Sequence, residues 1–262
     1  MQNPQQENNK VATIEKFTAL TIDGAAFRRA AEMNLAGETA NMNDLDRIKM
    51  PTADNSYFSI TELEGETTEK EFSAIIIAHK TARSYFPGVF SGSGTAPTCS
   101  SSDGYKSTTG KLCVTCEFSK FGSDGKNGQA CRLSELLFVL LPHGSLPQIL
   151  SVPPSSLKPL KKYFLRLTSQ QLAFNEVLTR FSTTKAQSKD GIKFSMLELN
   201  LDKVLDADDR TRIQAYTYAM APLLRGSVGA DGSVIHEPEE DAPDISAYEA
   251  EAPQQTDSEI PF

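Results

Sequence analysis

No run of apolar residues approaches the roughly 20 needed to cross a bilayer as a helix, and the first ten residues, MQNPQQENNK, are polar throughout. A secretory leader couples a basic start to an apolar stretch. Neither is present, so the expected location is the cytoplasm, with no membrane partner. Histidine is scarce: His79, His143 and His236 lie far apart, which leaves imidazole-based catalysis little to work with. The HExxH and HxE motifs of catalytic zinc sites are absent. Gly104–Lys111 mimics a phosphate-binding loop but has five residues between its glycines, and Leu112 stands where a magnesium-binding Ser or Thr belongs. Finally, residues 233–262 contain no Lys or Arg.

That last absence governs the charge distribution. The formal net charge is −8, from 26 Lys and Arg against 34 Asp and Glu. Nine of those acids (Glu237, Glu239, Glu240, Asp241, Asp244, Glu249, Glu251, Asp257 and Glu259) fall in 233–262, and the other 25 almost balance the bases. Residues 70–200 hold 16 Lys and Arg against 8 Asp and Glu, whereas residues 1–69 hold 6 against 12. A basic middle enclosed by acidic ends is the pattern of a nucleic-acid binder whose tail shields its own basic face or engages a partner, and equally of a surface that Lys and Arg merely keep in solution.

Composition divides the chain into a polar N-terminus and helical segment (1–49), a core (50–225) and an acidic linker and tail (226–262) expected to be disordered. The Ala-, Glu- and Arg-rich stretch 24–48 predicts one or two helices. Tyr57–Thr61 and Glu71–Ala78, the latter continuing to Phe86, have the β-branched and aromatic content of strands, with ELEGETTEK as a turn between them. A further strand is expected at Cys131–Leu141. Pro153–Ser156 reads as a loop and N-cap before a helix, and Asn175–Thr184 with Gly191–Leu201 as a hairpin. Asp206–Leu224 predicts a last helix. About five strands with helical flanks suggest an α+β chain built on a small barrel like the oligonucleotide/oligosaccharide-binding (OB) fold.

Residues 91–131 break this pattern, being dense in Gly, Ser, Thr and Asp with few apolar groups. An insertion of that length needs something other than a core to order it. All four cysteines of the chain lie there or at its edge, as Cys99-x13-Cys113-x2-Cys116-x14-Cys131. In a reducing compartment four thiols suit a structural, tetrahedral zinc ion, one per chain, with the CxxC turn supplying two ligands. Buried free thiols or a redox CxxC are the other readings. The redox reading lacks its βαβ context, and four thiolates leave no open position for catalysis.

The chain ends Asp257-Ser258-Glu259-Ile260-Pro261-Phe262. Acidic residues closing on Ile-Pro-Phe at the very terminus resemble the tip of bacterial single-stranded DNA-binding proteins. In that family an OB domain is followed by a linker and an acidic tip that recruits replication and repair enzymes. A zinc-type insertion within the core and an acidic tail are more similar to bacteriophage members. The resemblance implies a non-enzymatic protein that coats single-stranded DNA in replication, recombination or repair, with Asp257, Glu259, Ile260, Pro261 and Phe262 engaging partner enzymes. It assigns no stacking aromatic by position.

Single-strand binding needs cations interleaved with ring faces. The candidates are Lys80, Arg83, Tyr85 and Phe86; Tyr105 and Lys106; Lys120; Lys161, Lys162 and Arg166; and Arg180, Lys185 and Lys193 around the hairpin. Phe138, Phe164 and Phe174 read as core instead. The alternative from another class is a nucleic-acid enzyme or its accessory factor, nuclease or primase-associated, that uses the zinc module for grip.

Overall fold

The computed structural model describes residues 17–20, 24–38, 40–52, 55–87, 97–187, 191 and 193–225. The acidic tail and the Ile-Pro-Phe tip, with Asp257, Glu259, Ile260, Pro261 and Phe262, lie outside the described residues.

Two strands dominate. β4 (Phe72–Tyr85) and β6 (Cys131–Leu140) pair antiparallel from Ile75↔Leu140 to Tyr85↔Cys131. Their runs, Ala74–Ile77 and Leu136–Leu140, are apolar on both faces because both faces are covered. Around them the sheet order is β1-β7-β6-β4-β8-β9, from β1 (Arg47–Ile48), β7 (Gln148–Val152), β8 (Val177–Gln187) and β9 (Lys193–Val204); the short β5 (Cys99–Ser101) pairs with the far end of β4. β2 (Phe58–Glu62) and β3 (Gly65–Glu69) form a separate hairpin. The seven-stranded sheet curls into a half-barrel in a mixed α+β arrangement with three helices.

The concave side holds one core, with Phe58, Phe72, Ala74, Ile76, Leu137, Val139, Phe181, Leu197 and Leu199 under α2 (Pro154–Ser169), which contributes Leu160, Tyr163 and Leu167. There Phe72 stacks on Phe181 at 4.8 Å and takes the edge of Phe58 at 5.0 Å. The convex side holds a second core, with Ile75, Ile77, Ala82, Leu136, Phe138 and Leu140 beneath Phe17, Met42, Leu45 and α3 (Ala207–Arg225). The remaining helix, α1 (Gly24–Leu35), has no buried residue.

Several expectations need correction. Residues read wholly as a turn, ELEGETTEK, contain β3, because Gly65 adopts φ +134° and returns the chain along β2. Pro154 opens α2 at its first position, which suits its fixed φ, and Ser156 is therefore no cap. It lies buried inside the helix, accepting a hydrogen bond from the Leu197 N–H at 2.9 Å. β1, β5 and β7 were not anticipated at all. Of the aromatics read as core, Phe138 is fully buried, while Phe164 and Phe174 pack at the margin of the concave core.

Candidate metal centre and its surroundings

A β-bulge at Ile77 decides which side chains meet at the site. Before it Ala74 and Ile76 face the concave core; Ile77 is the extra residue, and after it the odd-numbered positions face that side. Arg83 and Tyr85 thus share one face and Lys80 with Ala82 the other. Register extends the arrangement sideways: Tyr85 is opposite Cys99 on β5 and Cys131 on β6, and Arg83 is opposite Ser101 and Leu133. Opposed residues of antiparallel strands point to the same side. The end of β4 therefore presents a row Cys99–Tyr85–Cys131 behind a row Ser101–Arg83–Leu133.

The loop between β5 and β6 folds over this face. Gly104 (φ +73°) sits so near Thr81 that a Cβ there would lie 2.8 Å from the threonine Cγ2. Asp103 fastens the turn, accepting from the Ser101 hydroxyl at 2.7 Å and from the Tyr105 and Lys106 N–H groups at 2.7 and 3.0 Å. Burial raises the Asp103 pKa, but these three donors outweigh it and hold the carboxyl below its ordinary value. Further on, the Ser119 hydroxyl lies 2.7 Å from the carbonyls of both Cys113 and Cys116, and the Cys116 N–H donates to the Cys113 carbonyl at 3.3 Å. A short 3₁₀ turn, Glu117–Ser119, brings Phe118 onto Tyr85 with the rings 4.4 Å apart and nearly parallel.

All four cysteines are free and line a single cavity of about 600 Å³, together with Tyr85, Phe118, Ser119 and Thr98. Cys113 and Cys131 are buried, and burial pushes both thiols up. At Cys113 the neighbouring Ser101 hydroxyl and the Arg83 guanidinium pull in the opposite sense, and at Cys131 the guanidinium does so. The donor set suits a soft divalent ion. Among the described residues, however, no three His, Cys, Asp or Glu side chains are gathered closely enough to hold a metal as they stand. The register supplies the reason: Cys99 and Cys131 stand two strand spacings apart, about 10 Å between backbones, with Tyr85 between them.

The cations predicted as nucleic-acid contacts separate into four places. Lys106 and Lys120 lie exposed on the insertion with Tyr105, joined by Lys111 and Lys126. Lys161, Lys162 and Arg166 occupy the exposed side of α2, opposite its buried Leu160, Tyr163 and Leu167. Lys80 and Arg180 are on the convex side of the sheet, since Arg180 alternates with the inward Thr179 and Phe181. Lys185 and Lys193 sit toward the turn end of the β8–β9 hairpin, where Lys185 donates to the Thr52 carbonyl at 2.6 Å. Phe86 follows the end of β4, half-buried. The grouping of Lys80 with Arg83 and Tyr85 does not hold, because the bulge places them on opposite faces. Tyr85 has one ring face already covered by Phe118.

The insertion is the best-furnished of the four places. Tyr105, Phe118 and Phe121 are 47%, 37% and 80% exposed. Among the described residues, Lys106, Lys111, Lys120 and Lys126 form no ion pair. Two of the three local acids are occupied in holding turns, Asp103 as above and Asp124 by accepting from the Lys126 and Gly128 N–H groups at 2.8 and 3.0 Å. Phe118 was missed from the sequence, although its position two residues after the CxxC turn could have singled it out. Asp103 and Ser119, which hold the loop, carry no recognisable motif.

No protein-family model, characterised protein or solved structure matches the chain.

Proposed function

We propose that the protein binds single-stranded DNA on an OB-like half-barrel, with an insertion stabilised by zinc on Cys99, Cys113, Cys116 and Cys131, and recruits partner enzymes through Asp257, Glu259, Ile260, Pro261 and Phe262. The observation that carries this reading is the insertion surface, where exposed Tyr105, Phe118 and Phe121 alternate with lysines that have no carboxylate partner among the described residues. Bases stacked on such rings contribute roughly 1–3 kcal/mol each, and the lysines release counterions from phosphate. Nothing in that pairing reads base identity, so little sequence preference is expected. Zinc would draw the β5 edge and the Cys113–Cys116 turn toward Cys131, supplying from four sulfurs the order that so polar a loop does not obtain from apolar burial.

The tail supplies two separable functions. Phe262 offers a ring for capture by a partner's apolar pocket, and Pro261 reduces the entropy lost on docking. The nine acids of 233–262 compete with DNA for the basic surface.

Titration of oligo-dT, duplex DNA and RNA, with and without magnesium, tests the proposal. Tight, salt-sensitive oligo-dT binding without turnover is expected. Equal affinity for duplex would refute single-strand preference, and magnesium-dependent cleavage would establish the enzyme reading instead. Deleting 260–262 should spare DNA affinity while abolishing partner recruitment. Deleting 233–262 should raise DNA affinity, most at low salt where screening is weak.

A further inference from the structure

We infer that Arg83 backs the four-cysteine cavity from the row behind it, while Lys111 lines the cavity itself, the Arg83 guanidinium donating N–H hydrogen bonds to the sulfurs of Cys113 and Cys131 once they bind metal. The inference rests on the zinc reading above and moves Arg83 from the DNA surface to the metal site. Its Nη1 is buried and has no hydrogen-bond partner. A buried, unpartnered donor on a permanent charge is costly, and such a group calls for an acceptor.

Arg83 stands one row behind Cys99 and Cys131 on the same face of β4, flanked by Ser101 and Leu133. Among the described residues it has no ion pair. Four thiolates around one divalent ion leave two negative charges in a half-buried pocket. One guanidinium offsets half of that charge and supplies directed donors in a rigid fork, which a lysine ammonium cannot reproduce.

The full-length chain, purified without a metal-binding tag, is compared with Arg83→Leu and Arg83→Lys. Zinc content is measured by elemental analysis, zinc affinity by competition with the chromogenic chelator 4-(2-pyridylazo)resorcinol, and oligo-dT affinity across a salt series at saturating zinc. Loss of an outer partner of a metal site costs about 10–100-fold in metal affinity. Arg83→Leu is expected to weaken zinc by that factor and Arg83→Lys by less, with the oligo-dT salt slope unchanged. Zinc held by Arg83→Leu as tightly as by the wild type would overturn the inference. If oligo-dT binding then also weakened and its salt slope fell by about one, Arg83 would be a phosphate contact. A wild-type protein without zinc would refute the metal reading itself, a separate outcome. Should Arg83→Leu not fold, Arg83→Lys decides: removing the fork while keeping the charge must already weaken zinc, and unchanged affinity would overturn the inference.

Discussion

β4 and β6 bury apolar side chains on both faces, whereas the chain that joins them passes through residues 102–130 with only Cys113 and Ser119 buried. The sheet takes its order from side chains that water rejects. The insertion takes its order from short-range polar bonds, with Asp103, Ser119, Asp124 and Gln129 each fixing backbone groups nearby. Such bonds replace bonds to water and contribute little net stability, while burying a large aromatic side chain contributes several kcal/mol. One chain thus carries a cooperative core beside a module free to respond to a ligand or an ion.

The largest expected effect lies in the concave core. Phe181→Ala removes a fully buried ring stacked on Phe72 and should cost about 3–5 kcal/mol in denaturant unfolding. The protection of insertion amides in the folded fraction should be unchanged. Equal loosening of both regions would show that they unfold as one unit.

Tyr163→Phe comes next. The Tyr163 hydroxyl meets the fully buried Thr179 hydroxyl at 2.8 Å, and orphaning Thr179 should cost about 1–3 kcal/mol, read from the denaturant midpoint.

Cys113→Ser should reverse the pattern. The midpoint should move by less than about 1 kcal/mol, while zinc is lost and residues 102–130 become susceptible to protease and exchange their amides. Undiminished zinc with full protection of the loop would refute an ion-ordered insertion. In metal-free wild type, buried Cys113 and Cys131 should react with iodoacetamide more slowly than half-buried Cys99 and Cys116, since burial raises the first two thiols.

The smallest effect is a response to acid. The folded-state pKa of Asp103 is depressed, so its contribution is fully present above the ordinary aspartate value and lost as pH falls through the lower folded value. Protease resistance of the insertion should therefore decline on acidification in the range below about pH 4, and Asp103→Asn should show that weakness at neutral pH. A variant as resistant as the wild type would remove Asp103 from the account of the loop.

Sequence and structure agree best where local pattern suffices. The β4, β6, α2 and α3 segments announce themselves by apolar run or helical spacing, and β8 and β9 flank a turn-rich connector. β3 is GETTE, exposed but for the half-buried Thr67 and with no apolar side chain to signal it, and exists because β2 lies alongside as a template. β7 offers only Ile149, Leu150 and Val152, and the three-residue β5 exists by pairing with β4. Such strands are made by partners far along the chain, which no local window contains.

The sequence by itself determined the partition of charge, the confinement of four thiols to a polar insertion, the acidic end closing on Ile-Pro-Phe, and the long elements of the half-barrel. These are properties of composition and short-range periodicity, present before any two distant segments meet. Tertiary structure alone decided that Tyr85 lies between Cys99 and Cys131, that Phe118 covers its ring, and that Arg83 shares a face of β4 with Tyr85 while Lys80 takes the other. Each of those outcomes follows from strand register and from one extra residue at Ile77, which shifts the alternation of every side chain beyond it. A period of two carries no record of which face it begins on, so the choice belongs to the pairing and the cores on either side.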